Sequence, residues 1–269
     1  MNKVLRRSIL VTGANKGIGY GIIEKLLSGS VPYDIILTSR DVTRGEKAVS
    51  TLQSKYSKSP STLAYHQLEV TEDKSIESLV SWVEKTFGGK LDVLVNNAGI
   101  AASDASAESA RLVIKTNFSS VVKTTEKFLP LLSGDGKILQ ISSMMGQLVG
   151  QDQALRKILE RDNLTKEELN KTADDFDKVV KIDSAFTSYC GSKALLNKYV
   201  RSILPKELKP NQQLYAIHPG WVRTDMGGSG GQYSIEEGAD TPVYLINLPF
   251  EKNNKLDGKF IFNRQVVKW

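Results

Sequence analysis

The 269-residue chain has one cysteine, two histidines, no run of like charge and no apolar stretch approaching the ~20 residues that span a bilayer. Each shortage removes a class of protein. A lone Cys190 excludes an internal disulfide and a cysteine-based zinc site, and suits a reducing compartment. His66 and His218 are too few for a histidine-rich centre, so no metal is expected. Ser142 and Ser143 lack the Gly-x-Ser-x-Gly elbow, and His218 beside Pro219 fits no recognisable triad order, which argues against a serine hydrolase. The net charge is +6, but lysine and arginine are interleaved with acids, so no nucleic-acid partner is expected. Met1 to Arg7 leads straight into an apolar segment too short for a signal-peptide core. The expectation is a soluble, unexported, cytoplasmic protein with no membrane partner.

What is present is a 40% hydrophobic chain long enough for one large α/β domain, expected to span 1–269. Ser8 to Thr12 is a short apolar run, Gly13-Ala14-Asn15-Lys16-Gly17-Ile18-Gly19 follows, and helical spacing runs through Ile22, Ile23, Leu26 and Leu27. The order strand, glycine turn, helix is what a pyrophosphate site needs. Glycines let the backbone approach the phosphates, and the helix N-terminus supplies amides and partial positive charge. A second strand, Asp34 to Thr38, ends at Ser39-Arg40-Asp41, where an acid would read a free ribose 2′-hydroxyl and an arginine a 2′-phosphate. Arg40, with Lys16 and Arg44 as further cations, favours NADP(H) over NAD(H). Asp41 is the opposing feature, able to pair with Arg40 or with a ribose hydroxyl.

The alternation continues with strand Thr62–Leu68, helix Lys74–Phe87 and strand Leu91–Val95, which runs into Asn96-Asn97-Ala98-Gly99. This pattern predicts a Rossmann-type, doubly wound parallel sheet of about seven strands with helices on both faces and ligands at the strands' carboxyl ends. Glu69 and Val70 follow the third strand, placed to meet adenine, and Asn97, Ala98 and Gly99 follow the fourth. Strand Gly136–Ile141 ends at Ser142-Ser143, and a helix over Phe118–Leu132 is expected to begin near Asn117. Tyr189 and Lys193, four residues apart on one helix face, complete the set. A nearby ammonium favours phenolate over phenol, so the pair is expected to lower the tyrosine's pKa into a range useful for proton transfer.

The ordered set Thr12-Gly13-x-x-x-Gly17-x-Gly19, Asn96-Asn97-Ala98-Gly99, Asn117, Ser143, Tyr189-x-x-x-Lys193 and Pro219-Gly220 resembles the short-chain dehydrogenase/reductases over essentially the whole chain. Arg40 to Gly45, Pro219 to Met226, Glu236 to Leu245 and Trp269 are similar to the monomeric NADPH-dependent carbonyl reductases within that family. The resemblance implies reduction of a small-molecule carbonyl to an alcohol by hydride transfer. Tyr189 would be the general acid, and Lys193 would lower its pKa and hold the nicotinamide ribose. Ser143 would polarise the carbonyl, and Asn117 would position a water. Pro219, Gly220, Val222 and Thr224 would border the nicotinamide, and Trp221 would wall the substrate pocket with Ser143 and Tyr189.

Between Ser143 and Tyr189, residues 151–183 form a charged, helix-prone insertion with apolar stripes and a capping box at Thr165-x-x-Glu168. It reads either as a helical element or as a solvated loop. The resemblance implies that it covers a helix surface used elsewhere in the family for association, hence a monomer. Three functions compete: a carbonyl reductase, an NAD(P)-dependent alcohol dehydrogenase working oxidatively, and a non-catalytic NADPH-sensing protein, which would typically show a broken Tyr or Lys.

Overall fold

Period-two alternation in the strands decides how the sheet is covered. Ile9 and Val11 face one side with Ile35, Leu37, Val93 and Val95, while Leu10, Ile36 and Leu94 face the other, and all are buried. A computed structural model describes residues 6–250 and 254–269. Its strands are β1 (Arg7–Val11), β2 (Tyr33–Ser39), β3 (Thr62–Gln67), β4 (Leu91–Asn96), β5 (Leu132–Ile141), β6 (Gln213–Ile217), β7 (Lys259–Phe262) and β8 (Gln265–Val267). They form one sheet in the order β3-β2-β1-β4-β5-β6-β7-β8, parallel except for β7 with β8. The described sheet thus has eight strands and not about seven. Order reverses between β1 and β4, the switch point beside which such sheets bind ligands.

The extra strand comes from a hairpin without glycine. Asn263 and Arg264 both take positive φ, 47° and 62°, which a two-residue turn of this hand requires but arginine resists. A clamp holds Arg264 there: its guanidinium donates twice to Asp240 at 2.7 Å, and its backbone N–H donates to Thr241 at 3.1 Å.

The helices are α1 (Gly17–Ser28), α2 (Val42–Lys55), α3 (Asp73–Phe87), α4 (Ala107–Ile114), α5 (Ser120–Phe128), α6 (Gln153–Leu159), α7 (Lys166–Asp174), α8 (Phe176–Val179), α9 (Ala185–Lys198), α10 (Ile235–Gly238) and α11 (Asp240–Asn247). Helices α1, α2 and α11 pack on one sheet face through Ile22, Leu26, Leu52, Leu245 and Ile246. On the other face α3 contributes Ile76, Leu79 and Val83, and α9 contributes Ala194, Leu195 and Leu196. Each such leucine, isoleucine or valine adds roughly 1.5–3 kcal/mol by leaving water.

The insertion folds as α6, α7 and α8, and its apolar stripe Leu155, Leu159, Leu164, Leu169 and Phe176 is buried against α9 and its neighbours. The capping box forms as its residue types dictate: Thr165 Oγ1 accepts from Glu168 N–H at 3.1 Å, and Glu168 accepts from Thr165 N–H at 2.9 Å.

The helix expected to start near Asn117 starts ten residues earlier, at Ala107, capped by Ser106. Asn117 lies inside a single π turn, Lys115–Ser119, that joins α4 to α5; Ser120 N–H donates to Lys115 O across it. A π turn inserted in a helix re-aims side chains at the insertion, and no residue pattern marks it in advance.

Candidate active site

The predicted residues gather along the carboxyl edge of the parallel strands. Gly13 follows β1, Arg40 β2, Glu69 β3, Asn97 β4, Ser143 β5 and Pro219 β6. After β1 the chain needs glycine twice, with φ +62° at Gly13 and +60° at Gly17. At Gly13 and Gly19 a side chain would collide with Ala98 and with the Asn97 amide, at 2.9 and 2.5 Å. Asn97 Nδ2 donates to the carbonyls of Thr12 and Gly13, and Thr12 Oγ1 receives the N–H groups of Asn97 and Ala98. The glycine turn and the Asn-Asn-Ala-Gly loop are therefore one hydrogen-bonded unit. Thr12, its buried centre, is a residue whose role sequence reasoning missed.

Helix α1 opens at this turn with a bare N-terminus. Its cap residue Lys16 makes no side-chain cap bond, and the first turn carries no acid. Free amides and a positive helix end beside two left-handed glycines are what a pyrophosphate requires, so the residues present fit a dinucleotide. Asn15 and Ile18, both half-buried, belong to the same turn, and Val70 packs against the core under the neighbouring strand end.

At the adenosine end Arg40 Nε lies 3.6 Å from Glu69. Glu69 is also engaged by Thr71, whose N–H and hydroxyl donate to it at 3.1 and 2.8 Å. Asp41 does not pair with Arg40; it caps α2, accepting from Arg44 N–H at 2.8 Å. That frees Arg40 of the acid that argued against a phosphate.

On the other side of the switch point Asn117, Ser143 and Lys193 are buried and Tyr189 is nearly so. Lys193 Nζ donates to Ile141 O at 2.9 Å and stands 5.8 Å from the centre of the Tyr189 ring. Ser143 Oγ accepts from Met145 N–H at 3.1 Å, which fixes the hydroxyl's direction. Asn117 is engaged by protein: it accepts from Ile100 N–H and donates to Ile100 O and to Ser192 Oγ, at 2.8, 2.9 and 3.1 Å. Its amide therefore pins the loop after β4, with one acceptor site on its oxygen left over. Ser192, which in turn donates to Tyr189 O, was not anticipated.

The electrostatics differ from expectation. Burial pushes the Tyr189 phenol up, and the Ser143 hydroxyl beside it opposes that rise. Burial also brings Lys193 down, to about 8. Two groups removed from water together each favour their neutral forms, and this outweighs the attraction the spacing alone suggested.

After β6, Gly220 takes φ +89° and lies against the Tyr233 ring, so a side chain there would meet that ring at 2.6 Å. Val222 is buried, and Thr224 lies beside Gly17. The Trp221 indole is half exposed and donates to Gly227 O at 2.8 Å.

Residues 7–154 match the family model described as short chain dehydrogenase. The chain belongs to this family. This member is 37% identical to carbonyl reductase (NADPH) 1 of Macaca fascicularis, with 98% of both chains covered. It is 36% identical to (+)-neomenthol dehydrogenase of Arabidopsis thaliana, again with 98% of each covered. The NADPH-bound carbonyl reductase from chicken fatty liver superposes with a TM-score of 0.72 at 28% identity, covering 98% of this short-chain dehydrogenase and 100% of that chain.

Proposed function

We propose that this protein reduces ketones, aldehydes and quinones to alcohols with NADPH. One observation carries the reading: buried Ser143 and Lys193 and a largely buried Tyr189 stand at the carboxyl edge of the sheet, across the switch point from an uncapped helix start that carries Lys16, with Arg40 and Arg44 following β2. Likeness to carbonyl reductases along nearly the whole length supports both the reaction and the cofactor.

The nicotinamide, when bound, supplies the hydride. Everything else falls to the chain. Tyr189 holds the proton that the carbonyl oxygen needs; its raised pKa keeps the phenol protonated at neutral pH, the form an acid requires. Ser143, held by Met145 N–H, keeps its own O–H available to the same oxygen. Lys193 stands behind the phenol as a cation below about pH 8, favouring phenolate once the proton has left. Asn117 holds the Ile100 loop against this centre. Gly13, Asn15, Gly17, Ile18 and Gly19 take the pyrophosphate; Glu69, Val70, Asn97, Ala98 and Gly99 flank the adenosine half; Pro219, Gly220, Val222 and Thr224 border the nicotinamide. Trp221 closes the substrate side.

The whole of 1–269 is read as one dinucleotide-binding and catalytic domain with 151–183 as its insertion. It is read as a monomer, because Lys166 of α7 ties the insertion down over α5 through Glu126, and to Glu207, each at 2.7 Å, and as cytoplasmic, because its lone cysteine suits a reducing compartment. No helix among the described residues is long and apolar enough to cross a membrane. The test is NADPH oxidation with a quinone or aromatic aldehyde. Tyr189→Phe is expected to abolish turnover while NADPH still binds, and full activity in that variant overturns the assignment.

A further inference from the structure

Each of the three cations placed around the 2′-phosphate already has a carboxylate. Arg40 faces Glu69 at 3.6 Å and Arg44 faces Asp41 at 3.8 Å, both acids being neighbours on the adenosine side. The third pair is of another kind. Lys16 Nζ meets Asp225 at 2.6 Å, and the two residues are 209 positions apart. Asp225 belongs to the segment after β6, which borders the nicotinamide in the reading above. Lys16 first, and Arg44 after it, hold the Asp225 carboxyl below its ordinary range, so this acid lies in the field of two of the three cations.

The segment is drawn down where it meets the glycine turn. A Cβ at Gly17 would lie 3.5 Å from Thr224 Cγ2, ordinary van der Waals contact. It is also closed on itself: Gly227 N–H donates to Thr224 Oγ1 at 3.1 Å, Gly228 N–H to Thr224 O at 2.8 Å, and the Trp221 indole to Gly227 O. Whatever moves Asp225 therefore moves Trp221 and Thr224 with it.

We propose that Asp225 is a counter-ion that a nucleotide's 2′-phosphate displaces from Lys16, so that NADPH, and not NADH, releases the hook of residues 221–228 from the glycine turn. The proposal rests on the NADPH reading and adds to it a specificity-determining acid and a coupling between the two ends of the cofactor. The exchange is physically easy. Both partners are largely exposed, 58% and 78%, and an exposed ion pair holds weakly. A phosphate monoester carries more charge than a carboxylate and offers three acceptor oxygens. The carboxylate thus keeps the lysine in place until the better anion arrives, at a small cost in NADPH affinity.

The experiment measures dissociation constants of NADPH, NADH, adenosine 2′,5′-bisphosphate and adenosine 5′-monophosphate for the native chain, Asp225→Asn, Lys16→Met and the double variant. Asp225→Asn is expected to tighten the two 2′-phosphorylated ligands by about two- to fivefold, the size set by a weak exposed pair, and to leave the other two unchanged. In the Lys16→Met background the same substitution is expected to change nothing. Because the hook moves as one piece, the emission of Trp221, read in a chain with Trp82→Phe and Trp269→Phe, is expected to shift with adenosine 2′,5′-bisphosphate and not with adenosine 5′-monophosphate. Equal tightening of all four ligands, no tightening, an effect that survives Lys16→Met, or emission indifferent to the 2′-phosphate each overturns the proposal. A native chain without preference for the 2′-phosphorylated ligands overturns the NADPH reading itself, a result separable from the others.

Discussion

Phe176 of the inserted segment lies against Gly191, two residues past Tyr189, so closely that a Cβ at Gly191 would overlap its ring. Leu155 comes next, 3.6 Å from the same point. The insertion is therefore part of what fixes the helix carrying Tyr189 and Lys193.

Gly191→Ala should push Phe176 out of its seat. Overpacking of this kind typically costs 1–3 kcal/mol, here about that much, since the ring is fully buried and has nowhere to move without disturbing Leu155 and Leu169. Urea denaturation is expected to show the lowered midpoint, and kcat is expected to fall more than NADPH affinity. A native-like midpoint with full turnover would show that the insertion and α9 do not share packing.

The features legible from sequence were those carried by residue type at fixed spacing. Glycines at 13, 17 and 19, apolar runs between turns and a Thr165–Glu168 capping box each have one local physical meaning, and the structure contains the turn, the strands and the cap. What depends on tertiary surroundings was not legible. The π turn around Asn117 has no residue pattern, β8 hides behind an Asn263-Arg264 turn stabilised by Asp240 on a different helix, and the direction of the Tyr189 shift is set by burial that no spacing reveals. In the sequence Arg40 and Glu69 stand as separate contacts of one ligand, whereas the folded chain sets them side by side.

His218 is expected to stay neutral to about pH 4. Its ring packs on Phe262 at 4.9 Å and burial lowers its pKa to about 4, while its Nδ1 accepts a long bond, 3.4 Å, from Met144 N–H beside Ser143. An acceptor role needs the proton on Nε2, which nitrogen NMR of a chain with only two histidines can read directly. His218→Phe, which keeps the ring and removes the acceptor, should lower kcat several-fold; His218→Asn, whose oxygen can take the place of Nδ1, should retain most of it. Titration near 6.5, or equal losses in both variants, would contradict this role.

Lys137 tests how far burial alone can move a charge. It is fully buried on β5, yet its ammonium donates to the carbonyls of Leu245, Ile246 and Leu248 at 2.9, 3.2 and 2.6 Å, closing the end of α11. The Phe250 ring lies 3.9 Å away and is shared with Arg7. Burial first, and the Arg7 charge second, bring its pKa down to about 7, with Asp135 opposing. The unfolded chain keeps this proton to about pH 10.4, so between roughly 7 and 10.4 the unfolded state binds more protons than the native one. Stability contributed at this site must therefore rise with pH across that window, by at most about 1.4 kcal/mol per pH unit. Lys137→Met keeps most of the stem's volume and removes both the titration and the donors. At pH 6 it should cost about 1–3 kcal/mol, because the carbonyls closing α11 lose their partner. From pH 7 upward the native chain should gain on the variant, and denaturation at pH 6, 8 and 10 measures that widening; a gap that stays constant would mean the ammonium keeps its proton in the fold, held by its three carbonyls and the Phe250 ring.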